Sequence, residues 1–450
     1  MDPAIVSPRK DELSDIDRIA MPIMTKAFIY YELPPTVDLD KLIASFREGL
    51  KNATRHVPFI AGNLEYDDTG KPYILTSAGE RKDLFVVRYF SPADHKSFSA
   101  LARDAFSPAD LDPEKLLPAL ATEVKPVCAL QLSVIEGGLI LGFAVNHVVG
   151  DWGSMDAFLS LVCQGSKAHQ EDLEMPTYTP VLDRTPYNAQ FTVPKDSLPE
   201  GLNLCYVIEK GTFIPKSPPP FQTSIYGITD ASLQELKQKC EPLDGVDYVT
   251  SYDCLSALLW TSITRVRLQL QPEKNTSPTT CINPVDLRSR DPENKTSEQY
   301  FGNSVFPARA GPTGSESLAS DKGLAIAASS IRKSIQGVTI DSAAGLASLV
   351  ASLAPNEALG YHVNFHDMDI LVNSWYSGTA EKYDIGTGSL PAAFRTHRPV
   401  TGGVALVLPN FSKGDAREYE VFLQLESQQH ELLRNDAEFA RYFEHLAGFN

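Results

Sequence analysis

The chain has 450 residues, 43% of them apolar and 22% charged, the proportions of a globular protein rather than a disordered one. That length exceeds what one hydrophobic core usually serves, so two domains of roughly 200 residues each are expected. The net charge of −17 disfavours binding to nucleic acid or an anionic membrane, because like charges repel over the whole approach.

From the N-terminus, Met1 to Asp17 is polar, with no apolar run of the kind a secretory signal needs. Asp40 to Lys51 places Leu42, Ile43, Phe46 and Leu50 on one helical face. Leu139 to Val145 is short, nearly all apolar and preceded by Gly137-Gly138, the pattern of a strand covered on both faces. Met155, Phe158, Leu159 and Val162 then return to helical spacing. Residues 174–222 hold Pro176, Pro180, Pro186, Pro194, Pro199, Pro215, Pro218, Pro219 and Pro220, which bars helix and central strand there. The expected organisation is therefore an N-terminal domain over 1–190, a Pro-rich crossover over 191–222 and a C-terminal domain over 223–450.

In the second half, Ser251 to Arg267 is helical, with Thr250 or Ser251 as N-cap. Val404 to Leu408 and Glu420 to Leu425 read as buried strands, and Gln429 to Leu446 as a closing helix. The class is mixed α/β. Cys128, Cys163, Cys205, Cys240, Cys254 and Cys281 form no C-x-x-C pair, which argues against zinc and against a disulfide framework. No stretch approaches about 18 uninterrupted apolar residues, and the final Ala-Gly-Phe-Asn is no targeting address. A cytoplasmic location is expected.

Chemistry concentrates in Asn146-His147-Val148-Val149-Gly150-Asp151-Trp152-Gly153. A histidine leaving a buried strand is firmly held, and a pKa near neutrality makes it a competent proton acceptor. Gly150 and Gly153 are expected to supply the dihedral freedom that turns Asp151 away from the imidazole. By itself H-x-x-x-D is a weak pattern, and a satisfied core histidine is the ordinary alternative.

Partners occur elsewhere in the chain. Asn283-Pro284-Val285-Asp286-Leu287-Arg288-Ser289-Arg290 and Tyr300-Phe301-Gly302-Asn303 follow the turn. The helix Tyr252 to Trp260 contains Leu-Ser-Ala-Leu-Leu-Trp, and Val372-Asn373-Ser374-Trp375 and Tyr383-Asp384-Ile385-Gly386-Thr387-Gly388 come later. Leu13-Ser14-Asp15-Ile16-Asp17 stands near the start. Together these resemble, in order, the motifs of the BAHD acyltransferases: H-x-x-x-D-G, V-D-x-R-x-R, Y-F-G-N, L-S-A-L-x-W, V-T-S-W, D-F-G-W-G and L-S-x-x-D. The layout and the segment Phe106 to Leu117 look closest to the fungal trichothecene 3-O-acetyltransferase branch. Departures are Trp152 for glycine, Asn373 for threonine, Ile385 for phenylalanine and Thr387 for the loop tryptophan.

The resemblance implies two chloramphenicol acetyltransferase-like domains, with a channel between them. It implies transfer of an acyl group from acyl-CoA to an alcohol or amine, with no permanently bound cofactor and no metal, in a monomeric enzyme. His147 is the expected base and Asn373 the expected oxyanion donor, with Trp375 lining the same cavity. Asp151 and Arg288 are expected to pair structurally, and Ser256, Asn303 and Trp375 to contact CoA. His362 and His366 are four apart but lack the glutamate of a zinc helix, and G-x-S-x-G is absent. Two other readings remain open: a condensation-type enzyme using a carrier-protein thioester, and a repurposed fold-mate that binds or cyclises a metabolite.

Overall fold

A computed structural model describes residues 9–448 apart from 78–83, 120–124, 196–197, 199–201, 203, 211–220, 244, 291–297, 377–379, 398–401, 410 and 412–416. Its centre is a pair of mixed sheets with helices packed against them. The five-stranded sheet runs, edge to edge, Ala393–His397, Met24–Glu32, Gly138–Asn146, Cys128–Ile135 and Phe85–Tyr89. The seven-stranded sheet runs Val305–Gly314, Pro278–Asp286, Ile370–Ser374, Val404–Leu408, Arg417–Glu426, Phe221–Thr229 and Phe443–Gly448. The strand Ala393–His397 comes from the second half of the chain, yet pairs with Met24–Glu32 in the first half's sheet.

Gly138–Asn146 is buried along its whole length between two antiparallel neighbours. Leu139, Leu141, Phe143 and Val145 enter one core, while Ile140 and Ala144 enter another on the opposite face. This is why its sequence is apolar without alternation. The helix Leu39–His56 is capped by Asp38, which accepts from Lys41 N–H. It crosses the helix Trp152–Gln170 at Gly49, where a Cβ would lie 2.4 Å from the carbonyl oxygen of Val162. Ser251–Leu270 begins with a capping box between Thr250 and Asp253, and Arg332 Nε donates to the Asp253 carboxylate at 2.7 Å.

The expected closing helix is instead two helices and a strand: Ser427–Asn435, Ala437–Tyr442 and Phe443–Gly448. Asp436 caps the second helix by accepting from Phe439 N–H at 2.9 Å, and Arg265 holds its carboxylate at 2.7 and 2.8 Å. The last segment then pairs with the edge of Phe221–Thr229, satisfying backbone groups that a helix would have left open there. In the Pro-rich region, Cys205–Glu209 forms a two-stranded sheet with Glu357–Tyr361. Pro199, Pro215, Pro218, Pro219 and Pro220 lie outside the described residues. Among the described residues, no helix is long and apolar enough to cross a membrane.

Candidate active site

His147 is the first residue beyond the central strand. Its backbone N–H donates to the Ile23 carbonyl at 2.9 Å, continuing the pairing of the two strands by one step. The Asn146 side chain, almost wholly buried, accepts from Val148 N–H at 3.3 Å and shapes the turn that follows. His147 is half-buried and lines a cavity of about 280 Å³. One wall comes from Ile16 to Ile23, the other from Pro278–Asp286, Val305–Gly314 and Ile370–Ser374. The cavity therefore lies between the two halves of the chain, where ligand sites commonly form.

Asp151 turns away from this cavity. It caps the helix Trp152–Gln170 by accepting from Ser154 N–H at 3.1 Å, and it accepts from Ser304 N–H at 2.8 Å. Arg288 grips it from below with two parallel bonds, at 2.8 and 2.9 Å. Burial pushes the Asp151 carboxyl up, but the Arg288 charge and these hydrogen bonds outweigh it and hold the group below the usual carboxylate range. Arg288 also donates to the carbonyls of Tyr300 and Gly302, to Ser154 Oγ and to Asp286. The structural pairing expected of Asp151 and Arg288 is present. The reason for Gly153 differs from the expectation. Neither Gly150 nor Gly153 has a positive φ; a Cβ at Gly153 would stand 3.2 Å from Arg288 Nη1, so this glycine makes room for the guanidinium.

A second buried ion pair, not foreseen in the sequence, supports the other end of the turn. Asp17 accepts from Ser14 N–H and Oγ–H at 2.8 and 2.7 Å and pairs with Arg184. Arg184 donates in turn to the Val149 carbonyl at 2.9 Å. Asn303 joins the two parts: its Nδ2 donates to Asp17 at 3.0 Å and to the His147 carbonyl at 2.9 Å. Ser14 and Asp17 belonged to a recognised motif, but nothing near Arg184 in the sequence marked it as their partner.

The remaining expected residues separate. Asn303 lines the cavity and holds the backbone of His147. Asn373 is not among the residues that line this cavity; it pairs in register with Leu406, on the sheet face whose side chains join the N-terminal core. Its Oδ1 accepts from Ser374 N–H at 2.8 Å. Trp375 does not line this cavity; it is 4% exposed and stacks on Trp152, with ring centroids 4.6 Å apart and planes 7° from parallel. Trp152 Nε1 donates to the Trp375 carbonyl at 3.0 Å, and Phe394 meets both rings edge-on. The bulky residue in the glycine position thus packs between the halves. Ser256 also lies away from this cavity, fully buried between the core residues Leu255 and Ala257. The Asp384 to Gly388 loop rests on the far end of the same helix: Asp384 pairs with Lys167 at 2.8 Å, and Gln170 donates to the Gly386 carbonyl at 2.7 Å. His362 and His366 pack against the rings of Tyr206 and Phe221.

Comparison with known proteins agrees with this architecture. The family model described as Transferase family matches residues 3–440. Trichothecene 3-O-acetyltransferase TRI101 of Fusarium sporotrichioides is 23% identical over 459 residues, covering 94% of each chain. Enoyl-CoA isomerase/hydratase claC of Penicillium crustosum is 24% identical over 467 residues, covering 96% of this chain and 51% of that protein; the chain thus spans about half the length of that relative. The crystal structure of F. graminearum TRI101 with coenzyme A and T-2 mycotoxin superimposes with a TM-score of 0.81 at 19% identity, covering 98% of this chain and 100% of the other. The chain belongs to the Transferase family, that of the BAHD acyltransferases.

Proposed function

We propose that this protein transfers an acyl group from acyl-CoA to a hydroxyl, or an amine, of a small molecule, a fungal secondary metabolite, with His147 as general base. The observation that carries the reading is the placement of His147 on an interdomain cavity while Asp151, four residues on, is locked to Arg288. A thioester is activated enough to need no covalent enzyme intermediate, so the protein's tasks are alignment and the handling of one proton. The imidazole takes the acceptor's proton as its oxygen or nitrogen attacks the thioester carbon, then returns it to the departing sulfur. Negative charge grows on the carbonyl oxygen, and Asn373 is proposed as the donor aimed at it. Its place on the face turned toward the N-terminal half supports that role. Asn303 acts through His147, whose carbonyl it holds. The burial of Ser256 and Trp375 weighs against direct CoA contact at either. The enzyme is proposed to act as a cytoplasmic monomer, with acyl-CoA as cosubstrate and no resident cofactor.

Thiol release from acetyl-, malonyl- and longer acyl-CoAs, measured with and without candidate alcohols, tests this. His147→Ala is expected to lower kcat by roughly 10²–10⁴-fold with thermal unfolding unchanged. Undiminished turnover in that variant would remove the base from the mechanism. Activity with an acyl carrier protein but not with CoA would transfer the reading to the condensation-type alternative.

A further inference from the structure

Two segments join the cavity to the tryptophan stack, one from each half of the chain. The first is the turn: His147 lines the cavity, and Trp152 opens the helix beside the Asp151–Arg288 clamp. The second is the strand Ile370–Ser374 with its extension to Trp375. Leu371 lines the cavity, Trp375 lies against Trp152, and strand alternation puts Asn373 between them on the same face. This stretch is thinly supported. It pairs with Pro278–Asp286 only at Ile370 and Leu371, so beyond them its sheet neighbour is Val404–Leu408 alone. Side chains take over there. Tyr252 donates its hydroxyl to the Val372 carbonyl at 2.8 Å. Trp375 N–H donates to the Val407 carbonyl at 2.8 Å, and the Trp375 carbonyl accepts from Trp152 Nε1 at 3.0 Å. Of these three bonds, only that from Trp152 reaches across from the first half of the chain.

We propose that Trp152 is a positioning residue for acyl transfer, its indole holding the Asn373 strand at a fixed distance from the His147 turn. This rests on the reading of His147 as base and Asn373 as oxyanion donor. Arg288 and Asn303 tie the turn to the segment that follows Pro278–Asp286, the strand from which Ile370–Ser374 parts. Their hold therefore stops short of Asn373, and Trp152 supplies the missing tie. The flat stack resists separation, because either ring moving away forfeits its contacts. The indole N–H resists sliding, and Phe394 closes the third side edge-on to both rings. The glycine usual in the family at this position has no side chain with which to reach Trp375. A donor displaced by about 1 Å from the developing charge costs on the order of 10²-fold in rate.

Trp152→Phe keeps a ring against Trp375 and removes the indole N–H; Trp152→Gly removes both. Thiol release from acetyl-CoA is followed with geraniol, with cyclohexanol and with water alone as acceptor. The parent, each variant, Asn373→Ala and the double variants are compared. Trp152→Phe is expected to lower kcat about tenfold and Trp152→Gly about 10²-fold, with KM for acetyl-CoA changed by less than about twofold. Asn373→Ala is expected to lose about 10²–10³-fold. Adding Trp152→Phe to it is expected to cost less than about twofold more, because a donor already removed cannot be misplaced. Trp152→Phe is expected to unfold within a few degrees of the parent, which keeps the comparison open should Trp152→Gly fail to fold. Full kcat in Trp152→Phe overturns the inference. So does a loss that recurs undiminished in the Asn373→Ala background, the mark of a seam that only supports the fold. An Asn373→Ala enzyme as fast as the parent removes the oxyanion donor, and the inference with it. A parent that releases no thiol from acetyl-, malonyl- or longer acyl-CoAs with any acceptor defeats instead the acyltransferase reading on which the inference stands.

Discussion

Behind the His147 turn the protein is charged and sealed; in front of it the walls are hydrocarbon. The rear holds Asp17, Asp151, Arg184 and Arg288, none more than 8% exposed. Each pair is surrounded by further hydrogen bonds to backbone and hydroxyl groups. The front offers Ile, Val, Pro, Met and Phe side chains around one imidazole. The difference separates two tasks. Charges out of reach of water fix the backbone on which His147 sits, because an ion pair that is fully satisfied has one geometry and breaking it is costly. The apolar face leaves recognition to shape and desolvation.

The comparison breaks most severely at Arg288. Arg288→Ala leaves Asp151 buried without its counter-charge, and a loss of about 3–5 kcal/mol is expected, read by urea unfolding alongside loss of turnover. Arg288→Lys keeps the charge but loses the parallel pair of bonds, and is expected to recover only part of both. A result in which Arg288→Ala is as stable and active as the parent would show that the rear pair fixes nothing.

Trp152→Gly probes the seam beside the turn. It restores the residue usual in the family and removes a ring stacked on Trp375, so a loss of about 3 kcal/mol is expected. Unchanged unfolding would mean that the stack adds no stability.

Mild acid distinguishes the clamp from the rest of the core. Asp151 is held below the ordinary carboxylate range, so its contribution is present above that range and lost only as pH falls through its depressed folded value. His430 is fully buried, and burial pushes it down to about 4 from 6.5. Its neutral form is the one the fold accepts, so its contribution is complete above pH 6.5 and is lost as pH falls from there toward 4. Between pH 7 and 4.5, stability is expected to fall by on the order of 2–3 kcal/mol, chiefly through His430. His430→Gln should flatten that slope in chemical unfolding. A parent protein with no such slope would contradict the assignment.

The smallest expected effect is at Asn303. Asn303→Ala removes the link between Asp17 and the His147 carbonyl, at about 1–3 kcal/mol. It should lower kcat more than it raises KM, because His147, the proposed base, is displaced while the hydrocarbon walls remain. A rise in KM alone would instead place Asn303 against the substrate.

Local patterns in the sequence carried much of this. Period-3.6 spacing marked Leu39–His56 and Ser251–Leu270, an apolar run marked Gly138–Asn146, and Thr250 announced its capping box. The spacing of His147 and Asp151, read with Arg288, located the turn and its clamp. These features are legible because each is set by neighbours a few residues apart or by an ordered set of motifs. The end of the chain departs from the expected helix because Phe443–Gly448 has helix-compatible spacing and only the open edge of Phe221–Thr229 selects a strand. Arg184 was invisible as a partner of Asp17, 167 residues away. Trp152 departs from the family's glycine, and its partners Trp375 and Phe394 lie more than 200 residues away in the sequence. The sequence by itself determined most of the central helices and strands and where His147 stands. Tertiary structure alone decided which buried charges meet, which tryptophan faces leave the cavity, and that the space before His147 is hydrocarbon, because burial and pairing depend on segments that approach only once the chain has folded.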